Sequence, residues 1–244
     1  MKKTIHLLLA AALCLGCMAC EKDATLDEVL SASPPESDSA EAENGVQESS
    51  EDADNDAATT EAPKTLIVYY SYTNHTETIV SDLQTQVDAD VVEIEPAEKG
   101  LNYAANGYAI GSALISAIRN NPDDAASYPA IDPVGIELEA YETVIVATPL
   151  WWSNMAAPMQ TFLFQYGSQM AGKHIGLIVS SSSSGISGVE ADAKRLIPDG
   201  DFLTPSLWIR SSQTSSCHAL IADWLEDIDY SDLVSSIRQV QINE

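Results

Sequence analysis

Three short stretches of this chain carry residue types that could work together on one ligand. The first is Ser71-Tyr72-Thr73-Asn74-His75-Thr76, which sets three small hydroxyls and an amide within six positions and contains no Lys, Arg or Gly. It follows the apolar run Thr65–Tyr70 and precedes a helical pattern. A helix start presents unpaired N–H groups and the positive end of the helix dipole. Such a start is a ready anion site, and a phosphate group fits it. Plain capping needs one Ser, Thr or Asn, whereas Ser71, Thr73, Asn74 and Thr76 all stand here. His75 contributes its backbone N–H.

The second stretch is Thr148-Pro149-Leu150-Trp151-Trp152-Ser153-Asn154-Met155. Adjacent side chains point different ways, so one tryptophan can belong to the core while the other faces a crevice, where a flat ring suits stacking on a planar ligand. Two core tryptophans are the other reading. The third stretch, Ser180–Gly188, is rich in Ser and Gly. Small side chains let a backbone approach a ligand closely, and Ser181, Ser182, Ser183, Ser184 and Gly185 offer N–H groups to the edge of a heterocycle.

The elements that must position these loops follow from periodicity. Apolar, β-branched runs occupy 65–70, 91–94, 143–148, 174–180 and, more weakly, 202–209. The first, third and fourth are near-continuously apolar, which marks strands covered on both faces. Helical spacing predicts helices over 76–87, 104–119, 156–166, 188–196 and 217–228. A β-α order repeated five times, with right-handed crossovers, predicts a doubly wound α/β sheet. Ligands bind such sheets outside the carboxyl ends of the strands, where the winding reverses. The loops after the first, third and fourth strands are the three stretches above, and all fall on that edge.

Taken together, the phosphate cradle, aromatic wall and close-approach loop resemble the flavodoxin family over roughly 65–228. The family's phosphate loop reads Ser/Thr-x-Ser/Thr-Gly-x-Thr after the first strand, and Ser71–Thr76 is similar to it with Asn74 in place of Gly. Asn follows Gly in readiness to visit positive φ. The resemblance implies a five-stranded parallel sheet of order 2-1-3-4-5 in three α/β/α layers, with FMN as cofactor. It places Ser71, Thr73, Asn74 and Thr76 at the phosphate. Thr148, Pro149, Leu150, Trp151 and Trp152 would flank the ribityl chain and ring, with Trp151 the expected stacking partner. Ser181–Gly185 would line the polar edge of the ring. The implied activity is electron transfer. An FMN-dependent NAD(P)H:quinone or nitro-compound reductase and a flavin-free module of the same fold are the alternatives.

The rest of the chain bounds location and partners. Residues 1–20 begin Met1-Lys2-Lys3, run apolar to about Leu15 and end in Cys17 and Cys20 after small residues. This is the grammar of a secretory signal. It resembles a bacterial lipoprotein signal, with Cys20 the expected lipidated residue and Cys17 the alternative. Residues 21–64 hold 14 acidic residues against two lysines, too charged and too polar to bury a core, so an acidic disordered tether is expected. The expectation is thus a domain over 65–229 on the extracytoplasmic side, lipid-anchored, with a tail over 230–244. From 65 onward there are 23 acidic and 7 basic residues, a net charge of −16. That field excludes nucleic acid and favours a basic redox partner, with the chain a monomer or weak dimer. One cysteine, Cys217, lies in this region, so neither a disulfide framework nor a multi-cysteine metal site can form there. Cys217-His218 carries no nucleophile-elbow motif, which argues against a hydrolase.

Overall fold

The computed structural model describes residues 64–182 and 185–242. The expected signal over 1–20, with Cys17 and Cys20, lies outside the described residues, as do the tether up to residue 63 and Ser183 and Ser184.

Strands apolar on both faces build the fold. In β1 (Lys64–Tyr69) and the residue after it, Leu66, Val68 and Tyr70 are buried on one face of the sheet, and Ile67 and Tyr69 on the other. β3 (Tyr141–Trp151) repeats the pattern with Val144 and Val146 against Ile145 and Ala147. β5 (His174–Ser181) does so with Ile175, Leu177 and Val179 against Ile178. Two apolar cores result, one on each side. α3 (Ala157–Tyr166) and α4 (Ser187–Leu196) close the first through Met159, Phe162, Leu163, Val189 and Ala193. α1 (His75–Leu83) and α5 (His218–Asp227) close the second through Ile79, Val80, Leu83, Ile221 and Trp224. The sheet is therefore the middle of three layers.

All long pairings are parallel. β2 (Asp90–Glu93) pairs with β1, β1 with β3, and β3 with β5. The fifth position is filled by two short strands, β6 (Asp201–Phe202) and β7 (Leu207–Arg210), both paired with β5. The predicted strand over 202–209 is thus broken between 203 and 206, where Pro205 supplies no N–H to a ladder. In chain order the five parallel positions run 2-1-3-4-5, as expected.

Two features depart from the expected elements. β4 (Asn154–Met155) folds back antiparallel on the end of β3. α2 (Ala105–Asn120) starts with Asn106, Gly107 and Tyr108 at φ of 53°, 66° and 64°, so its regular part begins after a kink. The 230–242 segment forms α6 (Tyr230–Ile242), and the Tyr230 hydroxyl shares a hydrogen bond of 2.8 Å with Thr65 Oγ1 at the base of β1. Among the described residues, no helix is long and apolar enough to cross a membrane.

Candidate functional site

The loops after β1, β3, β5 and β7 converge on a cavity of about 500 Å³. Tyr72, Thr73 and His75 line it from the first loop, Pro149, Leu150 and Trp151 from the second, and Ser180, Ser181 and Ser182 from the third. Ala104 and Tyr108, before and within the kink of α2, and Ser211, after β7, complete the lining. Sequence reasoning missed these last three. Tyr108 carries one usable signal, an aromatic beside Gly107 in a long crossover.

At the first loop the decisive residue is Asn74, which sits at φ 62° and ψ 0° as the N-cap of α1. It takes the left-handed turn that the phosphate-loop pattern assigns to Gly. The Ser71 hydroxyl accepts the Glu77 N–H at 3.3 Å, and Thr78 Oγ1 donates to the Asn74 carbonyl at 2.8 Å. Among the described residues no acceptor meets the backbone N–H groups of Asn74, His75 or Thr76. A phosphate here would be held by backbone donors and the Thr73 hydroxyl, without a cation. Thr76 is placed differently from expectation. It is buried, and its hydroxyl shares a hydrogen bond of 2.9 Å with Ser180 Oγ, which ties the start of α1 to the end of β5.

Asn74 yields a prediction. Asn74→Gly is expected to keep anion affinity and stability. Asn74→Val places a β-branched residue at positive φ and should lower stability by roughly 1–2 kcal/mol. It should also weaken phosphate-bearing ligands tenfold or more. Urea melts and ligand titration of both variants check it. Equal binding by both variants would count against the loop.

The second loop is a hairpin. Trp151 pairs with Asn154, and the two residues between them, Trp152 and Ser153, both have positive φ, 47° and 63°. Two-residue hairpins favour this primed turn because its twist matches the strands, but the usual residues are Asn and Gly. A tryptophan here is strained by roughly 1–3 kcal/mol and persists because its surroundings over-determine it. Asp192 on α4, only 8% exposed, accepts the Met155 N–H and the Asn154 side-chain amide, each at 3.0 Å. Arg195 bridges Asp192, Gln160 and the Tyr128 hydroxyl. The Gln160 amide donates to the Met155 carbonyl at 2.7 Å, and Arg119 donates to the Trp152 carbonyl at 3.3 Å. The N-terminus of α4 presses on the turn at Gly188, where an added Cβ would lie far inside van der Waals contact with the Ser153 carbonyl oxygen.

Trp151 packs with Tyr70, Tyr72 and Tyr103, at ring-centroid distances of 5.7, 6.2 and 4.9 Å. Burial pushes the hydroxyls of Tyr70 and Tyr103 upward in pKa, so both remain protonated O–H groups. Trp152 is 42% exposed and does not line the large cavity. Its ring lies against Gly111 of α2 and edge-on to Tyr108. Thr148 is fully buried in the sheet. In the third loop, Ser181 Oγ accepts the Trp208 indole N–H at 2.8 Å, and Gly185 is exposed and away from the cavity lining.

No group of His, Cys, Asp and Glu among the described residues could hold a metal ion. Cys217 is buried and its thiol is pushed up by burial, while His218 bonds Asp82 at 3.0 Å. These groups do not assemble a nucleophile.

A family model described as Flavodoxin matches residues 64–228. Among solved structures, the chain is similar to a putative flavoprotein from Bacteroides eggerthii, with 22% identity over 68% of this chain and 98% of that one, at a TM-score of 0.55. A putative flavoprotein from Bacteroides uniformis gives 23% identity over 68% and 99%, at 0.54. A flavoprotein from Lactobacillus acidophilus, solved in complex with FMN, gives 20% identity over 63% and 97%, at 0.51.

Proposed function

Because this chain belongs to the flavodoxin family, we propose that it is an FMN-binding electron-transfer protein. The observation that carries the reading is a cavity with a donor-rich helix start at one part of its wall and an aromatic wall at another. FMN, when bound, supplies the redox chemistry, taking up and releasing electrons at its ring.

The residues present fit that group. The N–H groups of Asn74, His75 and Thr76 and the Thr73 hydroxyl would hold the phosphate. Pro149, Leu150 and Trp151 would flank the sugar chain and ring, and Ser181 and Ser182 would meet its polar edge. Tyr72 and Tyr108 line the aromatic side of the same cavity. The domain's net charge of −16 opposes added negative charge and so holds the reduction potential low, with salt weakening the effect. The same field suits a basic redox partner. The signal-like residues 1–20 with Cys20, followed by the acidic 21–64, support a lipid anchor and an extracytoplasmic location.

An FMN-dependent NAD(P)H:quinone or nitro-compound reductase is the second reading, and Arg210, paired in register with the cavity residue Ser181 and next to Ser211, is the cation that could meet a nucleotide phosphate there; Lys173 and Arg195 lie elsewhere. Lys173 donates to the Tyr141 carbonyl at 2.6 Å, at the opposite edge of the sheet. Arg195 is held by Asp192 and Gln160. Neither is placed to receive a nucleotide phosphate at the cavity. The flavin-free alternative rested on Asn74, whose left-handed backbone removes that support.

Titrating the purified chain with FMN tests the reading. Saturable quenching of flavin fluorescence at one FMN per chain is expected. At a hundredfold excess over Kd, the bound cofactor should stabilise the fold by about 2.7 kcal/mol. A protein that leaves FMN fluorescence and the thermal melt unchanged would overturn it.

A further inference from the structure

α2 begins twice. Asn102 Oδ1 accepts the Ala104 N–H at 3.0 Å, the bond by which a capping residue starts a helix. Ala104 already has right-handed backbone, at φ −84° and ψ −12°. The body of the helix starts again only after Asn106, Gly107 and Tyr108. These three form a left-handed turn, with φ and ψ of 53° and 42°, 66° and 39°, and 64° and 27°. Residues with a Cβ visit this region singly, not in runs. The local sequence favours the opposite. Ala104, Ala105 and Ala109 are strong helix formers, and Tyr108 stands at helical spacing from the buried Gly111, Ile115 and Ile118. One continuous helix over 103–120 is the locally preferred form.

What holds the turn lies on either side of it. Tyr103 is buried, its ring 4.9 Å from that of Trp151 and 5.4 Å from that of Tyr72. The Tyr72 hydroxyl donates to Asn102 Oδ1 and accepts the Ala104 N–H, each at 3.1 Å. Beyond the turn, Gly111 lies so close to the Trp152 ring that an added Cβ would stand 2.9 Å from it. Both ends are seated on the second loop, and the left-handed turn joins them. The turn itself is free to change, since residues 106–109 are exposed.

We propose that residues 106–108 are a hinge, and that the segment 101–108 is a strap over the large cavity that opens by straightening into α2. In the kinked form Ala104 and Tyr108 stand in the cavity lining. Straightening re-aims the chain before residue 106, so Tyr103 leaves Trp151 and the cavity loses that wall. A ligand that touches the strap binds the kinked form better and shifts the population toward it. Its apparent affinity is reduced by the fraction of chains that are straight. The ligand step rests on the cofactor reading above; the hinge does not.

The test is fluorine NMR of the chain labelled with 3-fluorotyrosine, with Tyr103 and Tyr108 assigned by phenylalanine substitution. Gly107→Ala is the informative variant, because a Cβ at Gly107 meets nothing within 4 Å and only the positive φ opposes it. Alanine disfavours that φ and favours helix, so the balance should move about tenfold toward the straight form. A second, solvent-exposed Tyr103 signal is expected to grow by that factor. Asn106→Gly relieves the kink and should shrink it. Adding FMN should return Gly107→Ala to the first signal, with an apparent affinity severalfold below the parent's. A single Tyr103 signal, unchanged in Gly107→Ala, overturns the proposal even if that variant melts lower, since the kink would then be fixed strain. If FMN leaves the parent's signals and its own fluorescence unchanged, the cofactor reading fails, and the ligand-free Tyr103 signals alone decide the hinge.

Discussion

Replacing Gly188 by alanine is expected to lower the stability of the domain by about 3 kcal/mol, the upper end for overpacking. The same change should abolish ligand binding at the large cavity. The reason is backbone against backbone. A single methyl on Gly188 would overlap the Ser153 carbonyl, and neither the start of α4 nor the hairpin turn is free to yield. Val189, the next residue, is fully buried in the core, while Asn154, after Ser153, is held by Asp192. The hairpin must therefore move, and Trp151 with it. A loss of ~3 kcal/mol would lower Tm by roughly 6–12 °C in a domain of this size. Thermal melts and FMN titration of Gly188→Ala measure both effects. A variant with parental Tm and affinity would show that the turn is pliable.

The second large effect concerns Asp192. Asp192→Ala is expected to reduce stability by about 3 kcal/mol, because it strips the acceptor from a buried N–H and leaves Arg195 half-paired. Asp192→Asn retains one acceptor oxygen and should lose roughly 1 kcal/mol. Both should weaken ligand binding through the hairpin, the alanine variant more. Urea denaturation with paired FMN titrations resolves the order. Equal losses from the two substitutions would mean that the Met155 and Asn154 bonds to this carboxylate contribute little.

Much of the framework was legible in the sequence, for identifiable reasons. β1, β3 and β5 are buried on both faces, so their apolar runs stand out without alternation. Asn74 was legible because one residue type substitutes for Gly at positive φ. The Trp152–Ser153 turn was hidden, because such turns announce themselves by Asn-Gly and here the residues are chosen for their side chains. Thr76 was read as a ligand group on local spacing, but its partner Ser180 lies 104 positions away. The bracing of the hairpin by Asp192, Arg195 and Gln160 was equally out of reach, since helical periodicity marks which face is buried and not which polar groups meet. The break in the fifth strand could have been foreseen from Pro205.

β3 is eleven residues long and runs without interruption from Tyr141 to Trp151. Its middle is the fully buried centre of the sheet and its end is part of the aromatic wall of the cavity. The buried centre of β3 is expected to be among the last amides to open in native-state hydrogen exchange. The facing side comes from the kinked start of α2, whose Tyr108 is more than half exposed. How fast a ligand enters is then expected to follow openings near residues 102–109, and how well it is held to follow the sheet, which hydrogen exchange of the two segments with and without ligand would separate.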